Sequence, residues 1–143
     1  MVALVPVAST PQDVVRSRVE AFQQGDFGFI YDSYHPAAPF LEQFPDRDEY
    51  LDYALTEIAS SCVIERFRVL TETGDARTAR VIFQQLLKLA SGYQESFELA
   101  HLEFSAGRWL YLGSDRISRG DFRGRPEDLR EEDFARVGHR VFF

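Results

Sequence analysis

The stretch Arg16-Ser17-Arg18-Val19-Glu20-Ala21-Phe22-Gln23-Gln24-Gly25-Asp26, followed by His35-Pro36, is the most informative part of this 143-residue chain. It places two cationic side chains in a segment whose apolar residues recur at helical spacing. Gly25 is a typical residue to end a helix. Because a charged group on an apolar helix face costs free energy unless it is paired, the stretch indicates either a structural ion pair or a binding site.

Helix signals continue on both sides of this stretch. Thr10-Pro11 is a typical helix start, with a capping hydroxyl and a proline at the first helical position. Asp26 can cap a second short helix that ends before the His-Pro pair. Asp46 can cap a third helix over residues 47–59, whose apolar side chains recur every three or four residues.

The second half of the chain shows the alternation of β-strands. Four predicted strands, residues 62–73, 77–90, 94–105 and 108–118, are separated by short turns that contain glycine. The order of elements predicts an α+β domain over residues 1–118, with three N-terminal helices packed on a curved antiparallel sheet of four or more strands.

Residues 119–143 form a charge-balanced tail, with six arginines and six acidic residues. Residues 127–137 are predicted to form a short helix, and the chain finishes with the apolar triplet Val141-Phe142-Phe143. Because an apolar terminus tends to be buried, we expect the tail to dock either on its own domain or on a partner subunit.

Composition excludes several functional classes. The chain is 45% hydrophobic and 14% aromatic, which favours a packed core over disorder. A net charge of −7 argues against a nucleic-acid partner and provides no attraction to an anionic membrane. No stretch approaches the ~20 apolar residues that a membrane span needs. We expect a cytoplasmic protein.

Side chains suited to metal or cofactor chemistry are few. Cys62 is the single cysteine, so no internal disulfide or thiolate cluster can form, and its strand context predicts a buried apolar side chain. His35, His101 and His139 are far apart and lack carboxylates at ligand spacing. With no phosphate-binding loop or nucleophile motif either, we expect no metal and no cofactor.

Two segments resemble the YchJ-like domain family. Residues 14–26, then Tyr31 and His35-Pro36, are similar to the family's start, in which Arg-Ser-Arg, Ala-aromatic, Gly-Asp and His-Pro follow at the same spacing. Glu98, Leu102 and Gly107-Arg108-Trp109-Leu110-Tyr111-Leu112-Gly113 resemble a second family segment. The resemblance covers about residues 12–115 and implies a nuclear transport factor 2-like cone with an internal pocket. The chain lacks the SEC-C zinc motifs that members commonly carry.

Arg18 is the first candidate site residue, because it lies on the helix face expected to meet the sheet. It either forms a structural ion pair, for which Glu98 is the natural partner, or reaches solvent, or binds an anionic or carbonyl-bearing ligand. His35 is the second candidate, as an acid or base or as a purely structural group. The predicted ligand-binding set is Arg18, Tyr31, His35, Glu98 and Trp109.

Strand alternation places Phe97 and Leu99 on the opposite face from Glu98. If that face is the outside of the sheet, these side chains are exposed and favour a homodimer. Two functions then compete. The first is a non-catalytic pocket for a small ligand or a partner protein. The alternative is a cofactor-independent isomerase, dehydratase or cyclase that uses Glu98 with His35 as acid and base, and Arg18 as electrostatic partner.

Overall fold

The computed structural model describes residues 10–141. In that part of the chain, helical elements come first: α1 Pro11–Gln24, α2 Phe27–Asp32, α3 Phe40–Gln43 and α4 Arg47–Tyr53, which continues as a π-helical turn, Ala54–Ile58. Four strands follow: β1 Cys62–Gly74, β2 Thr78–Leu89, β3 Gly92–Ser105 and β4 Arg108–Ser118. The remaining elements are the 3-10 turns Arg119–Asp121 and Pro126–Asp128, then α5 Glu131–Val137 and β5 His139–Val141.

Helix α1 begins and ends where the sequence predicts. The Thr10 side chain accepts a hydrogen bond from the backbone N–H of Asp13, which satisfies one of the free donors of the first turn. At the other end Gly25 has a φ of 74°, in the left-handed region that favours glycine. Val14, Val15 and other apolar residues of α1 are buried, so the helix lies with its apolar face on the core.

The number of helices differs from the expectation. A fourth helical segment, α3, lies between the second and third predicted helices, and the third is α4 together with its π-helical turn. Segment α3 is a single turn around the buried Phe40, which is too short to show helical periodicity in the sequence. Within residues 10–141 no helix has the length and apolar content needed to cross a bilayer.

The strands form one antiparallel sheet in the order β1-β2-β3-β4-β5. The four long strands match the prediction, whereas β5 is too short to be recognised by alternation. The helices cover the inner face, where Val81, Ala100 and Leu102 pack with the apolar residues of α1. A bulge at Leu112 shifts the β3–β4 register by one residue between the His101–Gly113 and Leu102–Tyr111 pairs.

The outer face of the sheet is covered by the chain's own tail. Leu129 and Phe134 form an apolar cluster with Phe97 and Leu99 of β3, and all four side chains are buried. The expectation that Phe97 and Leu99 are exposed is therefore wrong, and with it the ground for expecting a homodimer. The homodimer itself stays a prediction. The terminal residues 142–143, which were expected to dock, lie outside the described residues.

Candidate functional site

A cavity of about 320 Å³ lies between α1, the π-helical turn and the inner face of the sheet. This volume is at the lower end of the range for small-molecule sites. Apolar side chains from both layers form most of the wall, among them Val15, Val19, Phe22, Ile58, Phe83 and Leu87. Tyr53, Glu57, Ser61 and Gln94 also line it and are exposed, so they mark its mouth.

Arg18 reaches this cavity from α1. Its Nη1 donates hydrogen bonds to the Ser33 side chain at 2.5 Å and to the Ile30 carbonyl at 3.3 Å. Its Nη2 donates to the Tyr34 hydroxyl at 3.3 Å. The guanidinium also stacks on Tyr111, with Cζ 3.7 Å from the ring centroid. Every one of these partners is neutral.

The charge on Arg18 has no acidic partner among the described residues. Burial lowers the pKa of Arg18, but the phenol groups of Tyr34 and Tyr111 raise it by more, so the side chain stays cationic. Its hydrogen bonds use Nη1 and Nη2, which leaves Nε without a partner within residues 10–141. An N–H donor of a cation therefore stays available in a mostly apolar cavity.

The Glu98 carboxylate is bound by Ser114, Arg116 and Gln85 and not by Arg18, the predicted partner. Its Oε1 accepts a hydrogen bond from Ser114 at 2.8 Å. Its Oε2 accepts from Arg116 Nη2 at 2.9 Å and from the Gln85 amide. The expected pair between Arg18 and Glu98 is wrong, because the β3–β4 register places Arg116 directly opposite Glu98. The carboxylate is buried, and both of its oxygens are engaged.

The other predicted site residues lie away from the cavity wall. His35 contacts Glu103, with 3.6 Å between Nε2 and Oε1, and its Nδ1 accepts a hydrogen bond from the backbone N–H of Ala37. Tyr31 donates its hydroxyl to the Phe44 carbonyl at 2.8 Å. Trp109 packs edge-on against Phe104. Of the predicted set, Arg18 and Glu98 line the cavity, and the acid-base set of Glu98 with His35 is not assembled.

Tyr50 and Tyr111 also line the cavity, although neither is among the predicted site residues. Burial raises the pKa of both phenols above the usual value, so they are neutral at physiological pH. The Tyr50 side chain lines the cavity, and its hydroxyl makes no hydrogen bond in the described part of the chain. Tyr50 belongs to the apolar repeat of α4, and nothing in that pattern distinguishes a hydroxyl that faces a cavity from one that faces the core.

Cys62 also lines the cavity. It is half-buried, and burial raises the pKa of its thiol, so it is mostly protonated near neutral pH. No cluster of three or more histidine, cysteine, aspartate or glutamate side chains suited to a metal ion occurs within residues 10–141. The wall is thus mostly apolar, with one cation that lacks an acidic partner, the Glu98–Arg116 ion pair, neutral phenols and the exposed carboxylate of Glu57 at the mouth.

The family model for the middle NTF2-like domain of YchJ matches residues 10–114, which include α1, β3 and most of β4. The chain belongs to this family. Two solved structures of SEC-C motif-containing proteins are similar to the YchJ-like chain. For the solution structure of the Rhodopseudomonas palustris protein, the identity is 20%, the TM-score is 0.61, and the match covers 76% of this chain and 80% of that chain.

The second similar structure is a crystal structure of a Psychrobacter arcticus protein. Its identity is also 20%, its TM-score is 0.57, and the match covers 76% of this chain and 62% of that chain. At this identity both structures show the fold alone. No curated protein matches the chain.

Proposed function

We propose that this YchJ-like chain is a small-ligand-binding module that does not catalyse a reaction. The observation that supports the proposal is the apolar cavity of about 320 Å³ beside α1, into which a cationic side chain projects. Largely apolar walls with a few polar groups are typical of small-molecule sites. In this proposal the cavity is the hollow of the cone expected for the family.

The contacts of Glu98 and His35 favour binding over acid-base catalysis. A general base needs a free lone pair within hydrogen-bond reach of the substrate. Glu98 is neutralised by Arg116 and also held by Ser114 and the Gln85 amide, and His35 lies outside the cavity wall, so the two groups do not face one substrate position. A concave wall also suits a small molecule better than a protein partner, which needs a larger and flatter surface.

Filling the mouth of the cavity should abolish binding. Leu89 lines the cavity at the end of β2 and is half-buried, so Leu89→Trp should occupy the space of a ligand. Binding is measured as the rise in Tm of the wild-type protein with a library of small compounds. A compound at a hundred times its Kd should raise Tm by roughly 5–10 °C, and the rise should disappear in Leu89→Trp.

Lys88→Trp is the matched control. Lys88 is exposed and adjacent to Leu89, and its side chain lies on the opposite face of the strand. Compounds that bind the wild type should bind Lys88→Trp equally well. Either a library without a single binder, or binders that Leu89→Trp retains, would contradict a ligand site in the cavity.

A further inference from the structure

We infer that the ligand is a small apolar monocarboxylate, an alkanoate or arylalkanoate, whose carboxylate binds between Arg18 and Tyr50 while its hydrocarbon part fills the cavity. This inference rests on the proposed role of the cavity as a ligand site. It adds the chemical class of the ligand and the orientation in which it binds.

The charge of Arg18 is the reason to expect an anionic group on the ligand. The guanidinium is partly buried, and its hydrogen bonds go to the neutral oxygens of Ser33, Ile30 and Tyr34. A desolvated cation without a counter-charge is costly, and a carboxylate supplies that charge together with a charge-assisted hydrogen bond. The Nε of Arg18 remains available for that bond.

Tyr50 supplies a second donor. Its hydroxyl has no hydrogen-bond partner among residues 10–141, although the residue is 2% exposed. Tyr50 and Arg18 both line the cavity, and Phe40 connects them: its ring centroid lies 5.0 Å from that of Tyr50 and 4.2 Å from that of Tyr34, which accepts a hydrogen bond from Arg18. A neutral phenol and a guanidinium N–H together match the two oxygens of one carboxylate.

The rest of the wall limits the ligand to a single charge. Arg116 also lines the cavity, but Glu98 already neutralises it. Glu57 is an exposed carboxylate of the same lining and would repel a second anionic group on a ligand. A phosphate dianion would need more donors than Arg18 and Tyr50 provide. The apolar side chains of the wall favour a hydrocarbon body.

Three eight-carbon probes separate these features: octanoate, octanamide and octanedioate. Calorimetric titration of the wild-type protein should give an affinity for octanoate at least about tenfold above that for octanamide, because the carboxylate bonds to a charged group. Octanedioate should bind about tenfold more weakly than octanoate, and Glu57→Gln should recover part of that loss.

Tyr50→Phe and Arg18→Met test the carboxylate site. Tyr50→Phe removes one hydroxyl and keeps the ring, so the fold should persist while octanoate binding weakens about fivefold. Arg18→Met should reduce the preference for octanoate over octanamide to about one. Arg16→Met is the matched control, because Arg16 is exposed on the same helix and does not line the cavity.

The outcomes separate this inference from the proposed function. If Arg18→Met does not fold, Tyr50→Phe and the wild-type preference for octanoate still decide the result. If octanoate and octanamide bind the wild type equally, or if Tyr50→Phe binds octanoate as tightly as the wild type, the ligand is not a monocarboxylate held at this site. If octanedioate binds the wild type as tightly as octanoate, the inference that the ligand carries a single charge is wrong. If no probe and no library compound binds, the proposed ligand site itself fails.

Discussion

Replacing Glu98 with alanine should lower the free energy of unfolding by about 3 kcal/mol, because it leaves Arg116 without a counter-charge in a largely buried position. The Arg116 side chain is 26% exposed and that of Glu98 is 7% exposed, with 2.9 Å between Nη2 and Oε2. The same change removes the acceptor of the Ser114 hydroxyl and of the Gln85 amide. Urea unfolding monitored by circular dichroism measures the loss.

Asp32→Ala is the control for this variant. Asp32 pairs with Arg47 at 3.0 Å, but the two side chains are 58% and 46% exposed. Solvent screens such a pair, so its removal should cost much less free energy of unfolding than the removal of Glu98. Equal losses in Glu98→Ala and Asp32→Ala would show that the cluster around Glu98 does not hold β3 and β4 together.

Replacing Phe134 with alanine should lower the free energy of unfolding by about 3 kcal/mol, because it opens a cavity between α5 and the outer face of the sheet. Phe134 is 3% exposed and packs in the cluster that covers Phe97 and Leu99. Loosening the tail should also expose these two side chains, so the variant should self-associate more than the wild type. Urea unfolding and light scattering measure the two effects.

Phe29→Ala is the matched control for this variant, since Phe29 is 39% exposed in α2. It should change the free energy of unfolding by less than about 1 kcal/mol. If Phe134→Ala were no more destabilising than Phe29→Ala and remained unassociated, the tail would not protect the outer face in solution.

Local sequence signals predict most of the fold. Thr10-Pro11 defines the start of α1 and the left-handed Gly25 defines its end. Both ends are predictable because capping depends on a few adjacent residues. Alternation likewise defines the four long strands. Segments α3 and β5 are each shorter than five residues, so neither contains enough residues to show a period.

The partner of Glu98 could not be predicted because it depends on one bulged residue. Counting back from the Ser105–Arg108 pair at the end of the hairpin would place Asp115 opposite Glu98. The bulge at Leu112 moves the pairing by one residue, so Arg116 lies there instead. Strand alternation alone does not reveal such a shift.

The role of Arg18 could be predicted in part. Its position on the apolar face of α1 indicated a group that needs a partner or a ligand, and the structure places it at the cavity. Its actual partners, Ser33 and Tyr34, come from the segment after α2. They lie close to it because α2 packs back against α1, which is a tertiary contact that sequence spacing does not specify.

The alkylation rate of Cys62 tests the proposed ligand site most directly, because this single cysteine lies on the cavity wall. Iodoacetamide should modify it more slowly than a free thiol, since burial raises its pKa and lowers the fraction of thiolate. Saturating octanoate should slow the reaction further, by about tenfold, whereas octanamide at the same concentration should slow it much less. If neither octanoate nor any binder from the compound library changes this rate, the result contradicts a ligand site in this cavity.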